Sequence, residues 1–273
     1  MKIFISVDME GVAGVVDWDQ CRIGSPSYGE GCRLLLGEVN AAVTGALEGG
    51  ASEVVVCDAH GAMANLPPDS LAGSARYVSG RTRPDYMMAG LDPSFDAVLF
   101  VGYHGSLPLP SVLSHTYNPR VVSDARIGGI RAGESGINAL VAAAFSVPVA
   151  MITGDQYVGP EAEPFCPGIR AVEVKSSLSR EAAVSRHPDE SRSLIAAVAA
   201  ESVGGAGGLE PPRGQGDLEV DVFTADMAAS ASFVRGVERT GERTVTVATG
   251  DDPWAAYRSF TAMLQITRGL SAA

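Results

Sequence analysis

The sequence predicts an α/β fold: a mostly parallel sheet with flanking helices, and a smaller C-terminal α/β module. Short, unbroken apolar runs alternate with longer helical stretches over the first half of the chain, a pattern typical of buried parallel strands. The C-terminal third differs, because a loop rich in glycine interrupts it and shorter strand-like and helical segments follow. We therefore expect a larger domain over residues 1–190, which carries the candidate site, and a smaller module over residues 191–273 packed on it.

Four apolar runs have the length and composition of buried strands. Each consists mainly of aliphatic or aromatic residues and is followed within a few positions by a glycine. Runs this short suit the strands of a sheet that is covered on both faces. They are residues 2–7, 53–57, 97–101 and 148–153.

Two helices are predicted between these strands. Over residues 31–49, leucine or valine recurs at positions 34, 35, 39, 43 and 47, which is helical spacing, and the Gly49-Gly50 pair ends the helix. Residues 135–145 form the second predicted helix, which ends before Val147-Pro148.

The C-terminal third predicts a set of shorter elements. Helices are expected over residues 180–183 and 191–202, and residues 204–216 form a loop without periodicity. The remaining predictions are a strand over residues 218–224, a helix over 224–232, a strand over 243–249 and a last helix over 252–268.

Composition and charge argue against several classes of protein. Twenty Lys and Arg against thirty-two Asp and Glu give a net charge of −12, which disfavours a broad nucleic-acid-binding face. No apolar stretch approaches the roughly 20 residues of a membrane helix. Asp8 stands where a secretory signal would continue apolar, and the four cysteines form no CxxC pair. We therefore expect a cytoplasmic protein with reduced thiols.

Carboxylates and imidazoles follow the apolar runs. They are Asp8 and Glu10 after the first run, Asp58 and His60 after the second, His104 after the third and Asp155 after the fourth. Because ligands bind outside the carboxyl ends of strands in open α/β sheets, we expect these side chains at one edge. An acid after a strand is also typical of turns and helix N-caps, so both interpretations stay open for Asp58 and Asp155 taken singly.

This group of side chains has the composition of a hydrolytic metal site. Carboxylates and imidazoles without a thiolate suit zinc, manganese or cobalt in a hydrolase better than a structural zinc. Asp8 and Glu10 are two residues apart and therefore lie on the same side of an extended chain. Carboxylates bridge ions, and two ions about 3.5–4 Å apart polarise a carbonyl or phosphoryl oxygen together. The sequence therefore predicts a dinuclear centre.

Glu134 and His115 are further candidates. Glu134 lies in the glycine-rich segment before the second helix, where it either completes the ligand set or acts as a first-turn acid favoured by the helix dipole. His115, in Ser114-His115-Thr116, titrates near neutrality and is a candidate general acid or base, with a structural role as the alternative.

Several motifs together resemble the D-aminopeptidase family of zinc metallopeptidases. They occur in order between residues 6 and 180 at family-like spacing, and the C-terminal third is similar more loosely. The matching stretches are residues 6–11, 58–60, 102–104, 114–115, 133–139, 154–155, 174–175 and 179–180.

The resemblance implies two zinc ions per chain, with Mn²⁺ or Co²⁺ as alternatives. It implies release of the N-terminal residue, a D-amino acid in the family, from short peptides or amino-acid amides. It also implies a homo-oligomer, in the family a ring-like decamer with the sites facing an internal channel. The residues it implicates are Asp8 as the bridging ligand, Glu10, His60, His104 and Glu134 as further ligands, and His115 as the catalytic residue.

Some loops depart from the family pattern. Residues 12–30, 107–110 and 117–119 are particular to this chain, and such loops line substrate pockets on a common scaffold. An amide hydrolase acting on a specialised pathway intermediate therefore stays open as an alternative.

The leading hypothesis is a dinuclear zinc aminopeptidase. We expect Glu10 and His104 to hold one ion, and His60 and Glu134 to hold the other. A metal-activated water attacks the scissile carbonyl, and His115 assists proton transfer to the leaving amine.

An acid beside the centre completes this hypothesis. Asp58 or Asp155 is expected to anchor the free amino group of the substrate, because a carboxylate pairs with an ammonium group.

Two other classes of function stay open. A phosphatase with a nucleophilic aspartate needs a second aspartate two positions later, where this chain has Glu10, and no GxxxxGK[ST] loop occurs. A non-catalytic metal-binding module would keep the ligands but would not need His115.

Overall fold

The computed structural model describes residues 1–214 and 216–272. Short 3₁₀ helices lie at Pro68–Ser70, Tyr86–Met88, Ala206–Gly208 and Gly269–Ala272. In chain order the helices and strands are β1 (Lys2–Val7), α1 (Trp18–Cys21), α2 (Tyr28–Glu48), β2 (Glu53–Asp58), β3 (Arg76–Val78), β4 (Ala97–Val101), β5 (Val122–Ile127), β6 (Ile130–Arg131), α3 (Glu134–Ala144), β7 (Val149–Gly154), α4 (Val158–Ala162), β8 (Arg170–Glu173), β9 (Lys175–Ser179), β10 (Ala182–Ser185), α5 (Pro188–Gly204), β11 (Leu218–Val222), α6 (Ala225–Ala231), β12 (Val237–Arg239), β13 (Thr244–Val247) and α7 (Pro253–Arg268).

The four predicted apolar runs form adjacent strands of one parallel sheet, and the predicted α/β fold class is confirmed. The strand order is β3-β2-β1-β4-β7-β8, and every pair of neighbours is parallel. β1 lies between β2 and β4, and Val7 is in register with Asp58 on one side and with Val101 on the other. The carboxyl ends of these three strands therefore meet at one edge of the sheet.

Helices cover both faces of this sheet. Successive side chains of a strand alternate between the faces, so each strand contributes to two cores. Ile3, Ile5 and Val7 pack in one core with residues of α2 and α5. Phe4 belongs to a second core, which contains residues of α3, α7 and the C-terminal strands. α2 and α5 approach closely at Gly45, where a Cβ would lie 2.2 Å from the carbonyl oxygen of Ala196.

A second, antiparallel sheet has the strand order β12-β13-β11-β5-β6. The predicted C-terminal strands and helices correspond to β11, α6, β13 and α7. β5 has no counterpart in the predictions because it carries Asp124 and Arg126 and does not form an apolar run. The second sheet thus takes strands from both sides of residue 190, and the domain boundary at that residue stays a prediction.

The predicted helix over residues 180–183 is wrong. Arg180 lies in the turn between β9 and β10, which form an antiparallel pair. Its guanidinium donates to the hydroxyl of Ser114 at 3.1 Å and to the carbonyl oxygen of Ser114 at 2.8 Å. This contact joins residues far apart in sequence, so a local pattern of residue types does not show it.

Within the described ranges, no helix combines the length and the apolar character that crossing a membrane requires. The expected cytoplasmic location stays a prediction.

Candidate functional site

The five predicted ligand residues come together at the edge where β1, β2 and β4 end. Asp8 directly follows β1 and Glu10 lies two residues further on, while His60 and His104 lie in the turns after β2 and β4. Glu134 is the first residue of α3. All five side chains are buried, in residues that are between 1% and 7% exposed.

Two glycines allow the ends of β1 and β4 to lie in direct contact. A Cβ at Gly11 would lie 1.8 Å from the carbonyl oxygen of Tyr103, and a Cβ at Gly102 would lie 2.2 Å from that of Asp8. Gly102 also has a positive φ of 74°, which favours glycine. The backbone N–H of Gly11 donates to the carbonyl oxygen of Gly102 at 2.8 Å. The loop that carries Asp8 therefore lies directly against the loop that carries His104.

The Asp8 carboxylate lies between two histidines. Its Oδ1 is 3.1 Å from Nδ1 of His60, and its Oδ2 is 3.3 Å from Nε2 of His104. Because β1 is the neighbour of both β2 and β4, a carboxylate at its end faces the turns that follow both strands. One oxygen directed to each histidine is the arrangement that a bridging carboxylate requires.

Each of the other two carboxylates lies closest to one histidine. Oε2 of Glu10 is 3.0 Å from Nδ1 of His60, and Oε1 of Glu134 is 3.5 Å from Nε2 of His104. The sequence-based expectation placed Glu10 with His104 and His60 with Glu134. The shortest contacts in the structure instead place Glu10 with His60 and Glu134 with His104. Ligand atoms of Asp8, Glu10 and His104 also lie within 4.8 Å of one another, so the set forms one connected cluster.

Backbone carbonyls orient the two histidines. His60 uses Nε2 to donate to the carbonyl oxygen of Cys21 at 2.8 Å, and His104 uses Nδ1 to donate to that of Gly105 at 3.0 Å. In each ring the other nitrogen faces the carboxylates. A histidine that gives one N–H to a carbonyl directs its other nitrogen to the site, and this nitrogen offers its lone pair to a metal once its proton has left.

Burial opposes charge throughout the cluster, but the contacts between acids and histidines outweigh it. Burial favours the protonated form of Asp8, yet its contacts with His104 and His60 hold its pKa well below the usual range. Burial alone would lower the pKa of the two histidines, whereas the neighbouring carboxylates raise the pKa of both well above the usual value. Without a bound cation, the two histidines therefore hold protons near neutral pH.

Three atoms of the cluster are buried without a hydrogen-bond partner among the described residues. They are Oδ2 of Asp8, Oε2 of Glu10 and Nε2 of His104. Buried polar atoms are almost always paired, so three unpaired atoms that face one another indicate a site for a further group. Nitrogen and carboxylate oxygen are the ligands of catalytic zinc, and the residues present therefore fit a zinc site.

His115 lies beside the cluster, stacked on His104. The ring centroids are 4.2 Å apart with an interplanar angle of 9°, and Trp18 packs at 5.3 Å in an edge-on orientation. Nδ1 of His115 donates to the carbonyl oxygen of Leu113 at 2.9 Å, and Nε2 is 3.7 Å from Oε1 of Glu134. Burial, and then the charge on His104, lowers the pKa of His115 to about 4. His115 is therefore a neutral imidazole near pH 7.

Asp58 and Asp155 have a different role from the expected anchoring of an amino group. Asp58 accepts hydrogen bonds from the side chain of Asn65 at 2.7 Å and from its backbone N–H at 2.5 Å. Asp155 accepts hydrogen bonds from the hydroxyls of Ser111 and Ser177 at 2.6 and 2.5 Å. Both carboxylates thus hold neighbouring loops in place. Neither aspartate is among the described residues that line the cavity next to the cluster.

The cluster opens into a cavity of about 450 Å³, a size typical of small-molecule sites. Its buried end is formed by the carboxylates, His60 and His115, and its outer part by exposed residues of several loops and of α7. The apolar and aromatic residues of the wall include Trp18, Tyr86, Met87, Tyr117 and Leu264.

The sequence-based predictions missed the buried Lys175 as a support of the site. Its Nζ donates to the carbonyl oxygens of Glu10, Val12 and Val15 at 2.5, 3.0 and 2.6 Å. Burial lowers its pKa to about 8. The same loop is held from the other side by Glu38, which accepts the backbone N–H of residue 13 at 2.9 Å. The ammonium group of Lys175 and the carboxylate of Glu38 together fix the loop that follows Glu10.

Cys21 was missed for a related reason. Its contribution to His60 is a backbone carbonyl, which every residue type has, so no residue pattern identifies it. Its thiol also lies within 4.8 Å of the ligand atoms of Glu10 and His60, but burial and the charge of Glu10 raise the pKa of this thiol.

The fold and the site agree with comparisons to known proteins. The family model described as D-aminopeptidase matches residues 1–262. The chain belongs to the D-aminopeptidase family. A D-aminopeptidase of Bacillus subtilis (strain 168) is 31% identical over 277 residues, which cover 97% of this chain and 97% of the relative. The solved structure of the Zn-dependent D-aminopeptidase DppA from Bacillus subtilis, a self-compartmentalizing protease, has a TM-score of 0.92 and 32% identity, covering 98% of both chains.

Membership of the D-aminopeptidase family confirms the resemblance that the motifs indicate. It also confirms the prediction of an enzyme, a hydrolase that acts on peptide bonds. The phosphatase and the non-catalytic binding module are thereby set aside.

Replacing Lys175 by methionine is expected to destabilise the fold and to weaken metal binding. The substitution leaves three buried carbonyl oxygens without their donor, so we expect a loss of about 3 kcal/mol in the free energy of unfolding. Chemical denaturation and zinc titration measure the two effects. Lys2→Met, at the only other lysine in the sequence, is the control and is expected to cost at most about 1 kcal/mol. Unchanged stability and zinc affinity in Lys175→Met would contradict the assigned role.

Zinc binding is expected to release protons, and the affinity is expected to rise with pH. The carboxylates hold the pKa of His60 and His104 above the usual value, so a metal has to displace protons from both rings. Each proton released strengthens zinc binding about tenfold per pH unit, until the free histidines lose their protons. Calorimetric titration in two buffers of different ionisation enthalpy counts the protons. Proton-free binding, or an affinity that falls as the pH rises, is the opposing result.

Proposed function

We propose that this protein is a zinc-dependent D-aminopeptidase with a dinuclear centre. The main observation behind this proposal is the buried cluster, in which the two oxygens of Asp8 face two histidines. Each of these histidines also has a second carboxylate beside it. The Zn-dependence of the DppA relative and the name of the Bacillus subtilis relative support the metal and the activity.

The proposed ligand sets follow the shortest contacts. Glu10 and His60 would hold one ion, His104 and Glu134 the other, and Asp8 would bridge them. Bound zinc polarises a carbonyl oxygen and lowers the pKa of water, which is the chemistry that amide hydrolysis at neutral pH requires. Mn²⁺ and Co²⁺ stay predictions as alternatives.

His115 is the proposed catalytic residue. Its Nδ1–H is held by the carbonyl oxygen of Leu113, so the lone pair of the neutral ring is at Nε2, and the residue lines the cavity. As a neutral imidazole it accepts a proton at Nε2 when water adds to the scissile carbonyl carbon. It then gives this proton to the leaving nitrogen as the C–N bond breaks. The stacked His104 and the edge of Trp18 fix the plane of the ring in which this transfer occurs.

Short peptides and amino-acid amides are the proposed substrates. A cavity of about 450 Å³ admits a few residues of an extended chain and excludes a folded protein. The proposed preference for an N-terminal D-amino acid rests on the names of the relatives. A specialised pathway intermediate as the substrate stays a prediction, and low turnover of every member of a panel of D- and L-amino-acid amides would favour it.

We further propose that the protein forms a homo-oligomer, and more specifically a ring-like decamer. The DppA relative is a self-compartmentalizing protease. Leu178 and Val184 of the β9–β10 hairpin are 70% and 63% exposed, and exposed apolar side chains of this size favour association. Light scattering is expected to give ten times the mass of one chain. Leu178→Asp combined with Val184→Asp is expected to lower that mass, and a monomer at micromolar concentration would contradict the proposal.

The dinuclear centre and the role of His115 are separable by two variants. Asp8→Asn is expected to lose both ions, because it removes the bridge, whereas His115→Ala is expected to keep two zinc ions per chain. His115→Ala should lower kcat for a D-alanyl amide about 10²–10⁴-fold, the usual contribution of a general acid–base group. Metal analysis and steady-state kinetics provide the two measurements.

His187→Ala is the matched control, because this histidine is exposed on the surface, with a side chain that is 74% exposed. It is expected to retain both zinc and activity. Fewer than one zinc ion per chain in the zinc-loaded parent protein would refute the metal centre. Full turnover by His115→Ala would refute the role of the histidine.

A further inference from the structure

The outer part of the cavity carries four arginines. They come from separate parts of the chain: the end of α1, the loops after β3 and before β5, and the last turn of α7. All four are exposed, whereas the metal-ligand carboxylates at the other end of the cavity are buried. The four are Arg22, Arg81, Arg120 and Arg268.

These four guanidinium groups have no acidic partner in the described part of the chain. None of them forms an ion pair or donates a side-chain hydrogen bond there. The guanidinium of Arg22 lies over the ring of Trp18, 5.2 Å from the ring centroid. The chain has 32 acids and 20 lysines and arginines, so acidic partners are abundant. Unpaired arginines around one cavity therefore form a positively charged rim.

The two ends of the cavity differ in charge in a way that suits one kind of ligand. A peptide with its N-terminal residue at the carboxylate cluster extends outward, and each residue spans at most about 3.6 Å. The carboxylate of a dipeptide or tripeptide thus ends roughly 7–11 Å from its amino end, within a cavity of this size. Arginine binds carboxylates with paired N–H donors, and several guanidinium groups in one mouth attract an anion from solution.

We propose that Arg81, Arg120 and Arg268, with Arg22, form a subsite for the free C-terminal carboxylate of a short peptide. This inference rests on the proposed aminopeptidase function and narrows its substrate class. Dipeptides and tripeptides with a free carboxylate are the preferred substrates, and amino-acid amides and C-terminally amidated peptides are poorer ones. The rim acts on substrate binding and takes no part in breaking the C–N bond.

The test compares D-alanyl-glycine with D-alanyl-glycinamide, which share the bond to be cleaved and differ at the C-terminus. The zinc-loaded protein is expected to have a kcat/KM about tenfold higher for the free acid, mainly through a lower KM, since a contact made equally in ground and transition states changes KM. In the triple variant Arg81→Gln, Arg120→Gln, Arg268→Gln, the ratio between the two peptides is expected to fall to about one. Arg22 is left unchanged because it packs on Trp18 beside His115.

The matched control replaces Arg33 and Arg235 by glutamine. Both are exposed and neither forms an ion pair in the described chain, but neither lines the cavity. The double variant is expected to keep the parent ratio. A parent ratio near one, a triple variant that keeps the parent ratio, or a control that loses it would overturn the proposal.

A second readout separates this proposal from the proposed function. If neither peptide is cleaved, the aminopeptidase function fails, and calorimetric titration of the same two peptides still tests the rim. Tighter binding of the free acid than of the amide by the parent protein, lost in the triple variant and kept in the control, supports the subsite. Equal binding of both peptides by the parent protein refutes it.

Discussion

The concentration of buried negative charge at the end of β1 is the constraint on which the rest of the site depends. Asp8, Glu10 and Glu134 are all buried, and a carboxylate oxygen of each lies within 3.5 Å of a histidine nitrogen. Burying carboxylates is costly unless positive charge accompanies them. Protons on His60 and His104 supply that charge in the chain alone, and the unpaired atoms between them show that a cation suits the same place.

The topology of the parallel sheet decides which groups meet. β1 is hydrogen-bonded to both β2 and β4, so the carboxylate that follows β1 is the one that contacts both histidines. Glycines at positions 11 and 102 remove the side chains that would keep the two loops apart. Backbone carbonyls then orient the rings of His60 and His104. The buried Lys175 donates to the carbonyl oxygen of Glu10 and so holds the loop that carries this ligand. A rigid sheet edge thus positions side chains that lie on irregular loops.

Charge also organises the cavity along its length. The acids at the buried end and the arginines at the exposed end are separated, although a chain of net charge −12 offers many acids as partners for those arginines. A peptide carries its own charges in the opposite order, with an ammonium group at one end and a carboxylate at the other. Exposed guanidinium groups contribute little to folding, so their location around a cavity is better explained by ligand binding than by stability.

Residue types and short-range spacing were sufficient for part of this protein. The four apolar runs, the helices between them and the strand-end positions of Asp8, Glu10, His60 and His104 follow from local patterns, because periodicity and strand-end residue types are local properties. The same patterns indicated Asp58 and Asp155 equally, and it was the family resemblance that implied Glu134 as a ligand and His115 as the catalytic residue. The tertiary structure alone decided the pairing of Glu10 with His60, the backbone contact of Cys21, the support by Lys175 and the arginine rim. It also decided that β5 joins the C-terminal strands. Each of these contacts joins residues distant in sequence, often through backbone atoms that all residue types share, so no local pattern determines them.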